Sequence, residues 1–454
     1  MRAVDSNRRG LDELERGVLW LSPEVRAQPF PSHAVSIGRG EDCGYSLPGA
    51  QLSRCHAEFV AQGGVTLLRD LQSTNGTYHN GRRIDEAILA RHDVVRLGEW
   101  VGLVYAVPHG TFAGAQNIRG LWAGPAFRSV LQRAEQVAGS DIAVILVGES
   151  GTGKEVLARY IHGLSGREGA LVAVNCAALP EGLAEAELFG YRRGAFTGAD
   201  RSSLGHLRAA DGGTLLLDEI SELATTIQAK LLRAIEERAV TPLGETRPVP
   251  VAVRIIAAGQ RELADEVRRN RFRGDLFARL HGLQLRLPPL RDRREEILPL
   301  FWSAIQQHSN GRVLSLTPTL VEQLCLYSWP FNVRELVQTA RQVAALHSDR
   351  ERLSAECLPE HIARQRTPPE AASDVPRGVY APTPVPQALA GLPSGSDDGF
   401  EEIRVVLEQN GGNVSEAAKA LGMSRQKLYR MIAHHRDLDL TGLRRSRPGR
   451  EDSS

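Results

Sequence analysis

The sequence predicts a multidomain chain: an all-β sandwich, then an α/β domain with a helical lid, then an all-α helix-turn-helix. Three observations point there. Short β-branched runs broken by Gly, Asn and Asp turns fill residues 17–107. Strand and helix signals alternate from 120 to 290. Helical periodicity without strand signals covers 291–364 and returns near the C-terminus. A length of 454 residues leaves room for about three such units at roughly 150 residues each.

The first segment reads HAVSIGR, CHAEFVAQGG, VTLLRDL, GTYHNGRRI and DVVRLGEWVGLVYAV, and turns at that spacing suit a sandwich. In the second, DIAVILVG leads into KEVLARYIHGL, and GGTLLLDEI into TIQAKLLRAIEE. That alternation predicts a parallel sheet with helices on its faces, over 120–290, followed by a small helical lid at 291–364. Residues 365–399 hold seven prolines with Gly, Ser and Ala and no apolar periodicity, which predicts a flexible, partly extended linker. Beyond it, a helix from Phe400 to Gln409 precedes Asn413-Val414-Ser415-Glu416, a capping arrangement that opens a second helix. Leu421-Gly422-Met423 makes a turn, and Ser424 caps a third helix running to about His434. Within 400–440, Ala417, Ala418, Leu421, Leu428 and Ile432 would pack inward. Arg425, Gln426, Lys427 and Arg430 would face the major groove or phosphates of DNA.

Composition excludes several classes. With 42% hydrophobic and 24% charged residues, and 55 basic against 54 acidic for a net charge of +1, the chain is neither disordered throughout nor uniformly basic. Neutrality hides a local excess: residues 411–450 carry nine Lys plus Arg against three acids. Only four basic residues are lysines, namely Lys154, Lys230, Lys419 and Lys427. The N-terminal MRAVDSNRRGLDELER lacks the apolar core of a signal peptide, and the longest apolar run, Ile142 to Val147, is too short to span a bilayer. Five scattered cysteines (Cys43, Cys55, Cys176, Cys325 and Cys357) without a CxxC pair point away from zinc or redox chemistry and toward a reduced, cytoplasmic setting.

Two clusters carry chemistry in the α/β segment. Gly148-Glu149-Ser150-Gly151-Thr152-Gly153-Lys154 fits GxxxxGK between a strand and a helix, so its amides can cradle phosphates while Lys154 reaches the β and γ phosphates of ATP. Glu155 stands where a Ser or Thr would usually ligate magnesium. About sixty residues on, Asp218 and Glu219 end an apolar strand, a placement suited to Mg²⁺ on Asp218 and polarisation of the attacking water by its neighbour. A third feature, Gly194-Ala195-Phe196-Thr197-Gly198-Ala199, is a glycine-flanked tip whose exposed Phe calls for a partner.

Taken in order, GESGTGKE, VNCAAL, ELFGYRRGAFTGAD, GGTLLLDEI, FRGDLFARL, LPPLRDRREEI and NVREL resemble the bacterial sigma-54-dependent transcription activators, enhancer-binding AAA+ proteins, over roughly 120–364. The resemblance implies an AAA+ P-loop ATPase in which Glu155 is the usual residue. It also implies a switch role for Asn175, which would couple Glu219 to nucleotide state. Arg273 and Arg279 become arginine fingers reaching a neighbouring subunit's ATP, and Arg334 becomes the lid's sensor II. The GAFTGA loop, Gly194 to Ala199, would contact sigma-54, and a homo-oligomer, habitually a hexamer, would remodel the closed complex of the sigma-54 RNA polymerase holoenzyme. The chain departs from the pattern at Gly259-Gln260, where the family has Thr-Asn at sensor I, at Ala252, and at Phe331 before NVREL. These departures predict an active but slow ATPase.

The N-terminal segment holds Gly38-Arg39, Ser53-Arg54-Cys55-His56 and Ser73-Thr74-Asn75-Gly76-Thr77, and resembles the forkhead-associated (FHA) domain, a phosphothreonine binder. Arg39 offers a fork to phosphate, Ser53 a hydroxyl, and Asn75 an amide for the ligand backbone, with Arg54 and Thr74 assisting. A phosphothreonine partner of that kind implies input from a Ser/Thr kinase. The C-terminal helices resemble the Fis-type helix-turn-helix, which implies binding to upstream enhancer DNA. The expected function is thus a sigma-54-dependent activator driven by ATP. The alternative is a DNA-binding, FHA-linked regulator with impaired ATPase that acts as scaffold or repressor. A AAA+ unfoldase or helicase would leave the GAFTGA tip unexplained.

Overall fold

Alternation in the first segment builds two facing sheets. β1 (Leu14–Ser22), β2 (Arg26–Pro29), β3 (Val35–Gly38), β4 (Tyr45–Ser46), β5 (Ala57–Gln62), β6 (Val65–Asp70), β7 (Thr77–His79), β8 (Arg82–Ile84), β9 (Glu86–Leu89), β10 (Val94–Leu97) and β11 (Trp100–Pro108) arrange as β2-β1-β11-β10-β7-β8 against β4-β3-β5-β6-β9. Trp20, Ile37, Phe59, Leu68, Leu97 and Trp100 fill the space between them. The two indoles meet edge to face at 5.8 Å. The computed structural model describes residues 14–62, 65–108, 114–180, 182–308 and 314–363. All lie in the first of two units of the chain, Met1–Ala372. The expected linker 365–399 and helix-turn-helix 400–440, with Arg425, Gln426, Lys427 and Arg430, lie outside the described residues.

After a hairpin of β12 (Gln116–Ile118) and β13 (Leu121–Ala123), the α/β segment forms a parallel sheet. Its strands are β14 (Val144–Val147), β15 (Leu171–Asn175), β16 (Thr214–Asp218), β19 (Arg254–Gly259) and β20 (Leu283–Arg286), in the order β15-β16-β19-β14-β20. A short ribbon of β17 (Ala239–Val240) and β18 (Val249–Pro250) lies outside it. The central strands β14 and β19 are buried along their whole length because helices cover both faces, so the period-two alternation of the sandwich vanishes here. Parallel register aligns the carboxyl ends: Asn175 is level with Asp218, and Val147 with both Gly259 and Arg286. The loops that follow these strands therefore converge at one end of the sheet, where doubly wound folds bind ligands.

The lid helices Ile297–Gln306, Pro318–Leu326 and Asn332–Leu346 close around Phe301, Trp329 and Leu336. The sandwich and the lid do not bury their surfaces independently. Leu19, Leu21, Val94, Val101 and Leu103 of the sandwich form one buried cluster with Val321, Cys325 and Leu326 of the lid. Arg96 donates to Glu322 at 2.8 Å across the same seam, and Arg294 donates to the His92 carbonyl at 2.9 Å. The outer face of β10 and β11 is thus apolar because another domain covers it.

Candidate functional site

The P-loop turns sharply out of β14 because two glycines take the left-handed conformation, Gly151 at φ +77° and Gly153 at φ +102°. Gly151 is also constrained by space, since a Cβ there would lie 2.2 Å from the Phe331 carbonyl of the lid. Lys154 opens the helix Lys154–Leu164. Its ammonium is buried and donates to the Gly148 carbonyl at 2.9 Å. Thr152 donates its hydroxyl to the Glu149 carbonyl at 2.8 Å, which fixes the loop's curl.

Asp218 and Glu219 stand at the end of β16, facing Lys154. The ammonium is 3.8 Å from the Glu219 carboxylate. Burial pushes the Asp218 carboxyl above its ordinary range. Lys154 opposes the shift and Glu219 adds to it. Glu219 sits at φ +51°, a conformation that a non-glycine residue holds only under constraint. Gln260 supplies part of that constraint by donating to Glu219 at 3.2 Å. Asn175 is one strand away, and its side-chain oxygen accepts from the Ala177 amide at 3.1 Å, so the hydrogen bond to Glu219 comes from Gln260.

The lid reaches the P-loop with four residues, of which only Arg334 was singled out from sequence. Arg334 donates to the Ser150 hydroxyl at 2.7 Å. Arg291 grips Glu149 with both arms of its fork, at 2.8 and 2.5 Å, and with Asn332 it holds that carboxyl below the usual range. Asn332 donates to the Ser150 carbonyl at 3.0 Å and accepts from the Leu290 amide at 2.7 Å. Arg293, buried, donates to the Thr152 carbonyl at 2.7 Å and pairs with Glu296 at 2.9 Å. The signal was present in the Arg291-Asp292-Arg293-Arg294 run, whose charges look solvated until the fold turns two of them inward.

Arg273 is the N-cap of the helix Gly274–Leu280, and Arg279 lies in its last turn. Arg273 is exposed and paired with Asp275 at 2.7 Å, while Arg279 lines a cavity of about 450 Å³ with Arg167, Arg238 and His281. Among the described residues, the side chains hydrogen-bonded to the P-loop from outside it come from the lid. The Gly194–Ala199 loop closes on itself, with the Gly194 amide donating to the Ala199 carbonyl at 2.9 Å. Phe196 was expected to be exposed and is instead half-buried: its ring packs edge-on against Tyr191 at 5.0 Å, which removes apolar surface from water. Thr197, Arg192 and Arg193 remain exposed.

In the sandwich, the strand-joining loops gather Arg39, Ser53, Arg54, Thr74 and Asn75. The Arg39 amide donates to the Ser53 carbonyl at 3.0 Å, and the Thr74 amide donates to the Ser53 hydroxyl at 3.1 Å. Asn75 donates its side-chain amide to the Gln51 carbonyl at 2.7 Å, and the Arg39 and Arg54 side chains stay exposed. Beneath them His56 is fully buried. Its Nδ1 accepts from the Ser53 amide at 3.1 Å, so the proton sits on Nε2, 3.3 Å from the Gly76 carbonyl. Burial lowers its pKa below 6.5.

The chain matches the sigma-54 interaction domain over residues 121–286, the FHA domain over 35–98, the AAA+ ATPase lid domain over 291–374, and the Fis family of bacterial regulatory proteins over 400–433. The transcriptional regulatory protein ZraR of Klebsiella oxytoca is 42% identical over 313 residues, covering 68% of this chain and 67% of that protein. The transcriptional regulatory protein FlbD of Caulobacter vibrioides is 40% identical over 321 residues, 69% of each chain. A crystal structure of NtrX from Brucella abortus superposes with a TM-score of 0.50 at 28% identity, covering 71% of this chain and 68% of that one. With P-loop, paired carboxylates, lid and GAFTGA loop in one domain, the chain belongs to the sigma-54-dependent transcriptional regulators, with an FHA domain before its AAA+ domain and a Fis-type helix-turn-helix after it.

Proposed function

We propose that this protein activates transcription by hydrolysing ATP against the closed sigma-54 polymerase complex, while residues 400–440 hold enhancer DNA and the sandwich reads a phosphothreonine. The observation that carries the proposal is the meeting of Lys154, Asp218, Glu219 and Arg334 at one end of the sheet. The P-loop amides from Gly148 to Gly153 would bind the phosphates with Glu155 at the helix start, and Lys154 would leave the Gly148 carbonyl to join them. Asp218, a half-buried carboxyl with no cation hydrogen-bonded to it among the described residues, fits Mg²⁺, which when bound neutralises charge between the β and γ phosphates. Glu219, once released from Gln260, would take a proton from the attacking water.

The exposure of Arg273 and Arg279, away from their own P-loop, supports their acting across a subunit boundary in a homo-oligomeric ring, a hexamer by family habit. The exposed Thr197 beside Phe196 would then meet sigma-54 as the ring turns over. A promoter-opening assay with sigma-54 polymerase tests the whole chain of events. Lys154→Ala is expected to lose hydrolysis and opening together, whereas Thr197→Ala should keep hydrolysis and lose opening. Wild-type protein that hydrolyses no ATP at ring-forming concentrations overturns the reading in favour of a scaffold. For the sandwich, Arg39→Ala should weaken phosphothreonine peptide binding by about tenfold or more, the worth of a charge-assisted hydrogen bond. Equal binding by the two proteins overturns that assignment.

A further inference from the structure

Cys43 and Cys55 are twelve residues apart, and the fold brings their sulfurs to 3.9 Å, within van der Waals contact. They sit on the two loops that carry the candidate phosphate ligands: Cys43 follows Arg39 after β3, and Cys55 follows Ser53 and Arg54 before β5. We propose that this pair is a redox-active dithiol whose oxidation to a disulfide lowers the affinity of the sandwich for phosphothreonine. The inference rests on the phosphothreonine reading of that pocket.

The two thiols differ in a way that assigns their roles. Cys55 is exposed, whereas Cys43 is buried and donates its S–H to the Arg54 carbonyl at 3.0 Å. Burial first, and then the neighbouring Cys55, push the Cys43 thiol above its ordinary range, and the exposed Cys55 is the sulfur that a dissolved oxidant can reach. A hydroperoxide is attacked by the Cys55 thiolate, which gains one oxygen as a sulfenic acid while the peroxide's other oxygen leaves as water or alcohol. The Cys43 sulfur then displaces hydroxide from Cys55, its own proton completing a second water, and the S–S bond forms. Two thiols lose two electrons and two protons in all. Reduction by a dithiol reverses the change. The remaining cysteines do not compete: Cys176, Cys325 and Cys357 are buried, and burial holds the first two thiols up to about 12.

Closing the sulfurs to about 2.05 Å nearly halves their separation and removes the S–H that the Arg54 carbonyl accepts. The loops have little slack to absorb that motion. They are already tied by Arg39 N–H to Ser53 O and Gly40 N–H to Arg54 O, each 3.0 Å, and a Cβ at Gly38 would fall 2.2 Å from the Arg54 oxygen. The displacement therefore goes into the relative positions of Arg39 and Ser53, the two groups that must converge on one phosphate.

Full-length protein would be treated with hydrogen peroxide, quenched by alkylation, and examined by intact mass and peptide mapping. In parallel it would be titrated against an immobilised phosphothreonine peptide library. The expected results are a Cys43–Cys55 linkage with loss of two hydrogens, a fall in peptide affinity of about tenfold, and recovery of both with dithiothreitol. Cys43→Ser should retain peptide binding in peroxide and accumulate a dimedone-trappable sulfenic acid on Cys55, and Cys55→Ser should resist both changes. Absence of the linkage in the folded wild-type protein overturns the proposal, as does a linkage that leaves affinity unchanged. Reduced protein that binds no phosphothreonine peptide defeats the ligand reading and the affinity half with it, while the mass data still decide whether the dithiol is redox-active.

Discussion

The Gln260 side-chain amide donates to the Glu219 carboxylate at 3.2 Å, and under the proposed mechanism that bond breaks before Glu219 takes a proton from water. Gln260→Ala is therefore expected to raise basal ATP turnover by about fivefold, the equivalent of roughly 1 kcal/mol for one hydrogen bond. A single-turnover assay checks this, and a fall in rate would show that Gln260 positions Glu219 for reaction. His56 makes a second residue-scale prediction. Its folded pKa is depressed below 6.5, so the unfolded chain binds the proton more readily than the folded one. The stability it contributes is complete above pH 6.5 and is lost as pH falls below that value. His92 and His162 are depressed in the same direction by burial. The urea midpoint should drop between pH 7.5 and 5.5, and less so in His56→Gln, where no imidazole titrates. Residues whose chemistry is bound to a local motif, such as Lys154 and Asp218, were legible in the sequence. Gln260 was legible as the altered sensor I position, but its bond to Glu219 was not, nor were the partners of Arg293 and Cys43, because each partner is acquired only through sheet register or loop approach.

At the level of elements, the docking of the lid on the P-loop rests on Asn332 and Gly151 more than on the visible ion pairs. Arg291 and Glu149 are both about two-fifths exposed, at 42% and 43%, and an open pair of that kind contributes about 0.2–1 kcal/mol. Asn332 is fully buried, at φ +56°, and satisfies the Leu290 amide and the Ser150 carbonyl together. Asn332→Ala is expected to cost about 2–3 kcal/mol in a denaturant titration through the buried groups it orphans, against less than about 1 for Arg291→Ala. Gly151→Ala should abolish nucleotide binding outright, measurable with a fluorescent ADP analogue, because the new methyl collides with the Phe331 carbonyl. Periodicity made the sandwich, sheet and lid readable from sequence, since each buries its own stripe. It could not show which lid side chains turn toward the P-loop, because an arginine reads alike on a wet and on a dry face. Lys230, which had no role by sequence, bridges two helices by pairing with Glu185.

Across the whole described unit, the seam between sandwich and lid is dry enough for its charges to matter. Arg96 and Glu322 are 13% and 8% exposed, so Arg96→Leu alone strands a buried carboxylate and should cost roughly 3 kcal/mol. Adding Glu322→Leu is expected to recover most of it, since two apolar side chains suit a site bordered by Val321 and Val101. Calorimetry on the single and double variants decides this, and equal losses in both would mean that the pair contributes shape rather than charge. The same seam has a practical corollary for anyone who treats the chain as interchangeable cassettes. A cut between the FHA and AAA+ segments, at about residue 113, respects every motif yet leaves Val94, Val101 and Leu103 on one fragment and Val321, Cys325 and Leu326 on the other facing solvent. Each such side chain carries about 1.5–3 kcal/mol of burial. Excised sandwich should therefore self-associate, and a transplanted sensor from another regulator would need to bring its own covering for the lid helix.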